Sequence, residues 1–341
     1  MFDHLIGNDD TKKLLMRLAA DRRVPQSMLF AGPEGVGKKL FAFELARMLL
    51  CREGGCQSCP TCARIGIFDI PKPEKGEDYD VVFLSDHPDV GLVLPYKRNL
   101  RVGAIRDLER EAHFRPFEAD NRVFIIDDAD KMNDSSANAL LKTLEEPPPT
   151  TYLILVTARP DGLLQTIRSR CQNVRFAGVA HTEVETLLAS SGRLSPEDAV
   201  LAARLSEGSV GRALSLDIEW FKRVRDSMID VFRAALLSGN ISSMLQTSEA
   251  INDAKNKERY EDTIAILESV VRDVFVLSKG AERTWIVNAD VSDILSELSS
   301  QTTTAMMERW INEIEDLQFN YLVNINRKVA TDGLFVKMAA A

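Results

Sequence analysis

The residues that most constrain this chain lie near its start. The apolar run Met28 to Ala31 leads into Gly32-Pro33-Glu34-Gly35-Val36-Gly37-Lys38, and a periodic apolar stretch, Leu40 to Ala46, follows. Strand, glycine-rich loop and helix in that order make a phosphate loop. Gly32, Gly35 and Gly37 let backbone N–H groups curl around a phosphate, the helix N-terminus adds its positive end, and Lys38 reaches the outer phosphates. Further apolar runs, Val81 to Leu84, Val123 to Ile126 and Tyr152 to Val156, are separated by segments of helical periodicity. That alternation predicts an α/β domain with a parallel sheet, closed by Val174 to Phe176.

The loop's chemistry is weaker than its fold. The position after Lys38, which should offer a Ser or Thr hydroxyl to Mg²⁺, holds Lys39, whose ammonium repels a cation. The run Val123 to Ile126 ends in Asp127 and Asp128, the arrangement that holds Mg²⁺ and orients water. Asp127 suits the metal. Asp128 stands where an active ATPase of the AAA+ class usually has Glu, and its shorter side chain leaves a base about 1 Å out of place. An acidic strand end that merely caps the next helix is the plainer alternative, better suited to Asp130 than to Asp127. Two readings stay open for this pocket: one that binds ATP and Mg²⁺, and a retained loop that no longer does.

Four of the five cysteines, Cys51, Cys56, Cys59 and Cys62, fall within twelve residues with the spacing C-x4-C-x2-C-x2-C. Four thiolates from one short loop predict a closed tetrahedral zinc site that staples structure and leaves no position for catalytic water. An iron–sulfur cluster usually has other spacings, and reduced, unmetallated thiols are the plainer alternative. Cys171 stands apart. The Pro- and Gly-rich loop Pro71 to Gly76 separates the cysteines from the second strand.

With 42 basic against 51 acidic residues the net charge is −9, which excludes the basic footprint of a free-standing nucleic-acid binder. The first six residues carry no export pattern and no stretch approaches the roughly 20 apolar residues that span a bilayer, so a cytoplasmic location is expected. After Phe176 the texture changes. Thr182-Glu183-Val184-Glu185 reads as a capping box, and Ser195-Pro196-Glu197 as an N-cap with proline in the first turn. From Glu197 onward 145 residues contain no proline, which predicts a helical bundle. Met307, Trp310, Ile314, Leu317 and Tyr321 form one apolar stripe, read as core.

The stretch Ala137-Asn138-Ala139-Leu140-Leu141-Lys142-Thr143-Leu144-Glu145-Glu146-Pro147-Pro148 closely resembles bacterial clamp-loader subunits. So do Thr157-Ala158-Arg159-Pro160 and Ile167-Arg168-Ser169-Arg170-Cys171. The cysteine quartet after the phosphate-loop helix is similar to theirs, and Asn324 to Lys328 resembles the start of their last helix. The resemblance implies an AAA+ P-loop core with an inserted zinc module (residues 1–177, cysteines at 51–62), a small helical lid (178–215) and an all-α collar (216–341). It implies that Arg170 is a finger reaching a neighbour's nucleotide site, and that Thr157 senses the terminal phosphate. The implied partners are delta and gamma/tau subunits in a hetero-pentamer, with the sliding clamp and primer-template DNA engaged through the complex.

Motor subunits of the family carry arginine directly after Gly-Ser-x in the lid. Here Gly208-Ser209-Val210 is followed by Gly211, with Arg212 one place late, a turn of about 100° on a helix. With Lys39 and Asp128 this makes three departures at one site, a pattern that resembles the delta-prime branch. Two rivals are an active motor ATPase and a nucleic-acid-reading zinc finger. The tip residues Arg52, Gln57, Ser58 and Arg64 offer the latter few charges.

Overall fold

The structure, a computed structural model, describes residues 2, 4–72, 79–96, 99–253, 259–321 and 326–340. Pro73 to Gly76, the Tyr321 side chain and Asn324-Ile325, all singled out above, lie outside the described residues. The chain divides into two compact units, residues 1–187 with 206–214 and residues 188–205 with 215–341.

The first unit is built on a sheet. Its elements run α1 (Asp9–Ala20), β1 (Ser27–Ala31), α2 (Lys38–Leu50), α3 (Pro60–Arg64), β2 (Phe83–Leu84), β3 (Val90–Val93), α4 (Val102–Ala112), β4 (Arg122–Ile126), α5 (Asp134–Glu145), β5 (Thr151–Thr157), α6 (Gln165–Arg168) and β6 (Gln172–Arg175). The strand order is β2-β3-β4-β5-β1-β6, parallel throughout except for the β2–β3 pair. Alternate residues of each central strand feed opposite faces. Met28, Phe30, Val123, Ile125, Ile154 and Val156 pack with Phe41, Leu45 and Ala46 of α2. Leu29, Phe124, Ile126, Leu153 and Leu155 pack with Ile105 and Leu108 of α4 and Leu140 and Leu144 of α5. Burial on both faces is why these strands read as continuous apolar runs.

The sheet corrects one expectation. The run Val81 to Leu84 yields only Phe83–Leu84, and that piece is antiparallel. The parallel strand beside β4 is instead β3, whose Val-Gly-Leu-Val sequence breaks the apolar pattern at Gly91. Glycine is required there, because a Cβ would lie 2.5 Å from the Phe124 ring.

A buried polar knot fixes the turn before β4. The Asp89 carboxylate, fully buried, accepts the backbone N–H groups of Phe117 (2.7 Å), Glu118 (2.8 Å) and Ala119 (2.9 Å). Arg122 Nε lies 3.7 Å from the same carboxylate, and its guanidinium sits between the Phe117 and Phe124 rings. Asp89→Ala leaves those three N–H groups without their acceptor, while Arg122 keeps Glu111 Oε2 at 3.2 Å. It is therefore expected to lower stability by about 2–4 kcal/mol, read from urea unfolding, whereas a loss under about 1 kcal/mol would show the knot to be dispensable.

Next come α7 (His181–Ser190), α8 (Pro196–Leu205) and α9 (Val210–Ser215). The ladder of α7 starts from Ala180, whose carbonyl accepts the N–H groups of Glu183 and Val184, so Thr182 lies inside the first turn and is not the cap. Ser195 does cap α8, its Oγ accepting Asp198 N–H at 3.2 Å.

The second unit is helical: α8, α10 (Ile218–Arg233), α11 (Ile241–Ile251), α12 (Tyr260–Ser278), α13 (Ser292–Ser299), α14 (Thr304–Tyr321) and α15 (Arg327–Ala339). Met307, Trp310, Ile314 and Leu317 are core as expected, with Trp310 edge-on to Phe232 at 5.0 Å. Buried Asp273 at the end of α12 accepts the N–H groups of Val287 and Asn288 and so anchors the connection to α13. Among the described residues no helix is long and apolar enough to cross a membrane.

Candidate functional site

The phosphate loop stands at the carboxyl end of β1, where the strand order places β5 on one side and β6 on the other. Gly37 caps α2 in the left-handed region (φ +94°), a conformation that favours glycine. Lys38, only 6 % exposed, turns its ammonium back onto the loop, donating to the carbonyls of Gly32 (2.7 Å) and Pro33 (2.5 Å). Burial lowers its pKa, and the carboxylates of Asp127, Glu34, Asp128 and Asp130 pull the other way.

The acids of the site are each engaged within the chain. Lys39 Nζ pairs with Asp127 Oδ2 at 2.8 Å. Asp128, held in the left-handed region (φ 48°), pairs with Lys131 at 2.7 Å. Asp130 accepts from the buried Thr157 hydroxyl at 2.6 Å and from Arg159 at 3.0 Å. Asp127 and Asp128 follow directly on β4, and Lys39, which takes the place of a hydroxyl in the loop, is the partner of Asp127.

One contact had no local sequence signal. Gly211 N–H donates to the Gly35 carbonyl at 2.8 Å, and a Cβ on Gly35 would lie 2.1 Å from Ser209 Oγ. A Cβ on Gly211 would come within 3.2 Å of Gly35 Cα. Gly211, read above only as a missing arginine, is what lets the 209–212 turn rest directly on the phosphate loop.

Arg170 lies just past the end of α6, with its side chain about a third exposed (36 %). One η-nitrogen donates to the Thr166 carbonyl at 2.9 Å, and the other pairs with Glu145, the last residue of α5, at 2.7 Å. The guanidinium is thus held at the surface and not in the core. Its neighbour Cys171 is core, and burial pushes that thiol up to about 12. This accounts for the unclustered cysteine as an inert packing residue.

Around the α2–α3 turn the four remaining sulfurs converge, with all ligand atoms within 4.8 Å of one another. Cys51 Sγ lies 3.8 Å from Cys56 Sγ and 3.7 Å from Cys59 Sγ. Ligands about 2.3 Å from a tetrahedral centre stand about 3.8 Å apart, so these spacings fit a shared metal ion. They are far too long for a disulfide, at about 2.05 Å. Burial raises the Cys51 pKa, but N–H groups of Cys56, Gly55 and Glu53 outweigh it and draw the thiol down to about 6. Cys62, more deeply buried, is pushed up to about 12. A metal ion would reverse that shift, since it binds the thiolate.

A family model described as DNA polymerase III, delta subunit, matches residues 7–180, and its C-terminal companion matches residues 221–332. The chain belongs to this family, the delta-prime subunits of DNA polymerase III. It is 29% identical over 318 residues to the delta-prime subunit of Bacillus subtilis, covering 92% of this chain and 91% of that one. With the delta-prime subunit of Escherichia coli the identity is 28% over 335 residues, covering 96% and 93%. The tau subunit of Bacillus subtilis is 26% identical over 278 residues, 78% of this chain but only 46% of tau. The family fits the architecture found here: an α/β core with a glycine-rich loop after β1, a mostly parallel sheet and an inserted four-cysteine cluster, followed by helices.

Proposed function

We propose that this chain is the stator of a clamp loader: it does no covalent chemistry, and Arg170 completes the ATP site of an adjoining subunit. The observation that carries the reading is the 2.8 Å Lys39–Asp127 ion pair, which takes up the carboxylate an active ATPase reserves for Mg²⁺. Gly32, Gly35, Gly37, Lys38, Lys39, Asp127, Asp128 and Thr157 then form a vestigial nucleotide pocket. Residues 1–177, 178–215 and 216–341 act as core, lid and collar, and the collar helps hold delta and gamma/tau subunits in a hetero-pentamer in the cytoplasm. The cysteine cluster holds a structural zinc. The assembly opens the sliding clamp and sets it on primed DNA, and basic surface pooled over several subunits explains how a chain of net charge −9 serves there.

The test is a reconstituted loader carrying Lys38→Ala in this chain. DNA- and clamp-stimulated ATP hydrolysis is expected to stay within about twofold of wild type, under about 0.4 kcal/mol. A drop of tenfold or more would make this chain a motor.

A further inference from the structure

The helix that begins at the phosphate loop also grips the cysteine loop, through two side chains no sequence motif marks. Arg47, on α2, donates Nε to the carbonyl of Cys62 at 3.0 Å and one η-nitrogen to the carbonyl of Ile65 at 2.6 Å. Its other η-nitrogen pairs with Glu44, one turn earlier and almost wholly buried, at 2.5 Å. The second Glu44 oxygen accepts from Gln57 at 3.1 Å, and Gln57 sits in the left-handed region (φ 63°) between Cys56 and Cys59. His4 Nε2 closes the ring at 3.3 Å from the first oxygen.

The contacts divide between the two ends of the loop. Glu44 holds the turn that carries Cys56 and Cys59, and Arg47 holds the backbone of Cys62. Cys51 needs no such tie, because it is the C-cap of α2 itself. A guanidinium shared between two carbonyls and a carboxylate is a rigid fork, and its geometry fixes backbone rather than charge alone. We infer that Glu44 and Arg47 are positioning residues for the metal: a clasp on α2 that holds Cys56, Cys59 and Cys62 in register with Cys51. The inference rests on the metal reading of the four cysteines. Groups that orient metal ligands typically change affinity by about 10–100-fold when removed.

The experiment measures zinc release from the full-length protein to a chromophoric chelator under native conditions. Arg47→Met and Glu44→Gln are compared with wild type, with Arg47→Lys as a milder variant that keeps the charge and loses the fork. Thr151→Val, which loses a buried hydroxyl bond to the Ala112 carbonyl in the same unit and away from the loop, serves as a control. Release is expected to accelerate about 10–100-fold in Arg47→Met and Glu44→Gln, less in Arg47→Lys, and not in Thr151→Val at a temperature where all remain folded. Equal release from wild type and the clasp variants would overturn the inference, as would equal acceleration in Thr151→Val. A wild-type protein that binds no zinc would overturn the metal reading and the clasp with it, and its metal content distinguishes that case.

Discussion

Replacing Arg170 by alanine is expected to lower ATP hydrolysis at the adjoining subunit's site by about 10³-fold or more, while the loader still assembles. A guanidinium that meets charge developing on a transferred phosphoryl acts in the transition state, so the loss falls on turnover and leaves ATP affinity of the complex nearly intact. The ground for this is local. Arg170 is held at the surface by the Thr166 carbonyl and the Ser169 hydroxyl on one η-nitrogen and by Glu145 on the other. The Glu145 pair is half-exposed and worth at most about 1 kcal/mol, so it orients the side chain without trapping it. Arg170→Lys should recover little, because an ammonium lacks the fork. Pre-steady-state phosphate release from the reconstituted complex gives the readout, and full activity of Arg170→Ala would remove the finger.

Loss of the metal is the second large effect. Cys59→Ser is expected to reduce bound zinc from one per chain to none and to open residues 51–65 to proteolysis. Structural zinc contributes about 10–16 kcal/mol to the folding of small zinc domains. Within this loop Cys51, Cys62 and Ile65 are the buried apolar side chains, too few to hold it closed without the ion. The sheet has its own cores on both faces, so the rest of the unit should keep its cooperative unfolding. Metal analysis with limited proteolysis decides the matter: a variant free of zinc yet as resistant as wild type would show that the cysteines do not need an ion.

Legibility in the sequence followed the range of the interactions. β1, β4 and β5 announced themselves because both faces are buried, and the stripe on α14 because helical period and burial coincide. β3 escaped because Gly91, demanded by the Phe124 ring, removes one apolar residue from a four-residue strand. The supposed cap at Thr182 failed because hydrogen bonding to Ala180 starts α7 earlier than the side chains suggest. At the site, Lys39 and Asp127 were both legible as suspects, but 88 residues separate them and nothing local says that they meet. The Gly35–Gly211 contact was hidden more deeply, since a glycine in a sequence reports freedom and not the partner that requires it. Glu44 and Arg47 looked like an ordinary helical pair, and only the folded loop reveals what their remaining atoms hold.

In the phosphate pocket the lysine, the acids and a loop carbonyl are already engaged by the chain itself. Calorimetric titration of the isolated protein with ATP and Mg²⁺, with Lys38→Ala alongside, addresses this directly. Binding weaker than about 1 mM, under about 4 kcal/mol, with no turnover in either protein, is the predicted result. Micromolar binding with steady hydrolysis that vanishes in Lys38→Ala would contradict it.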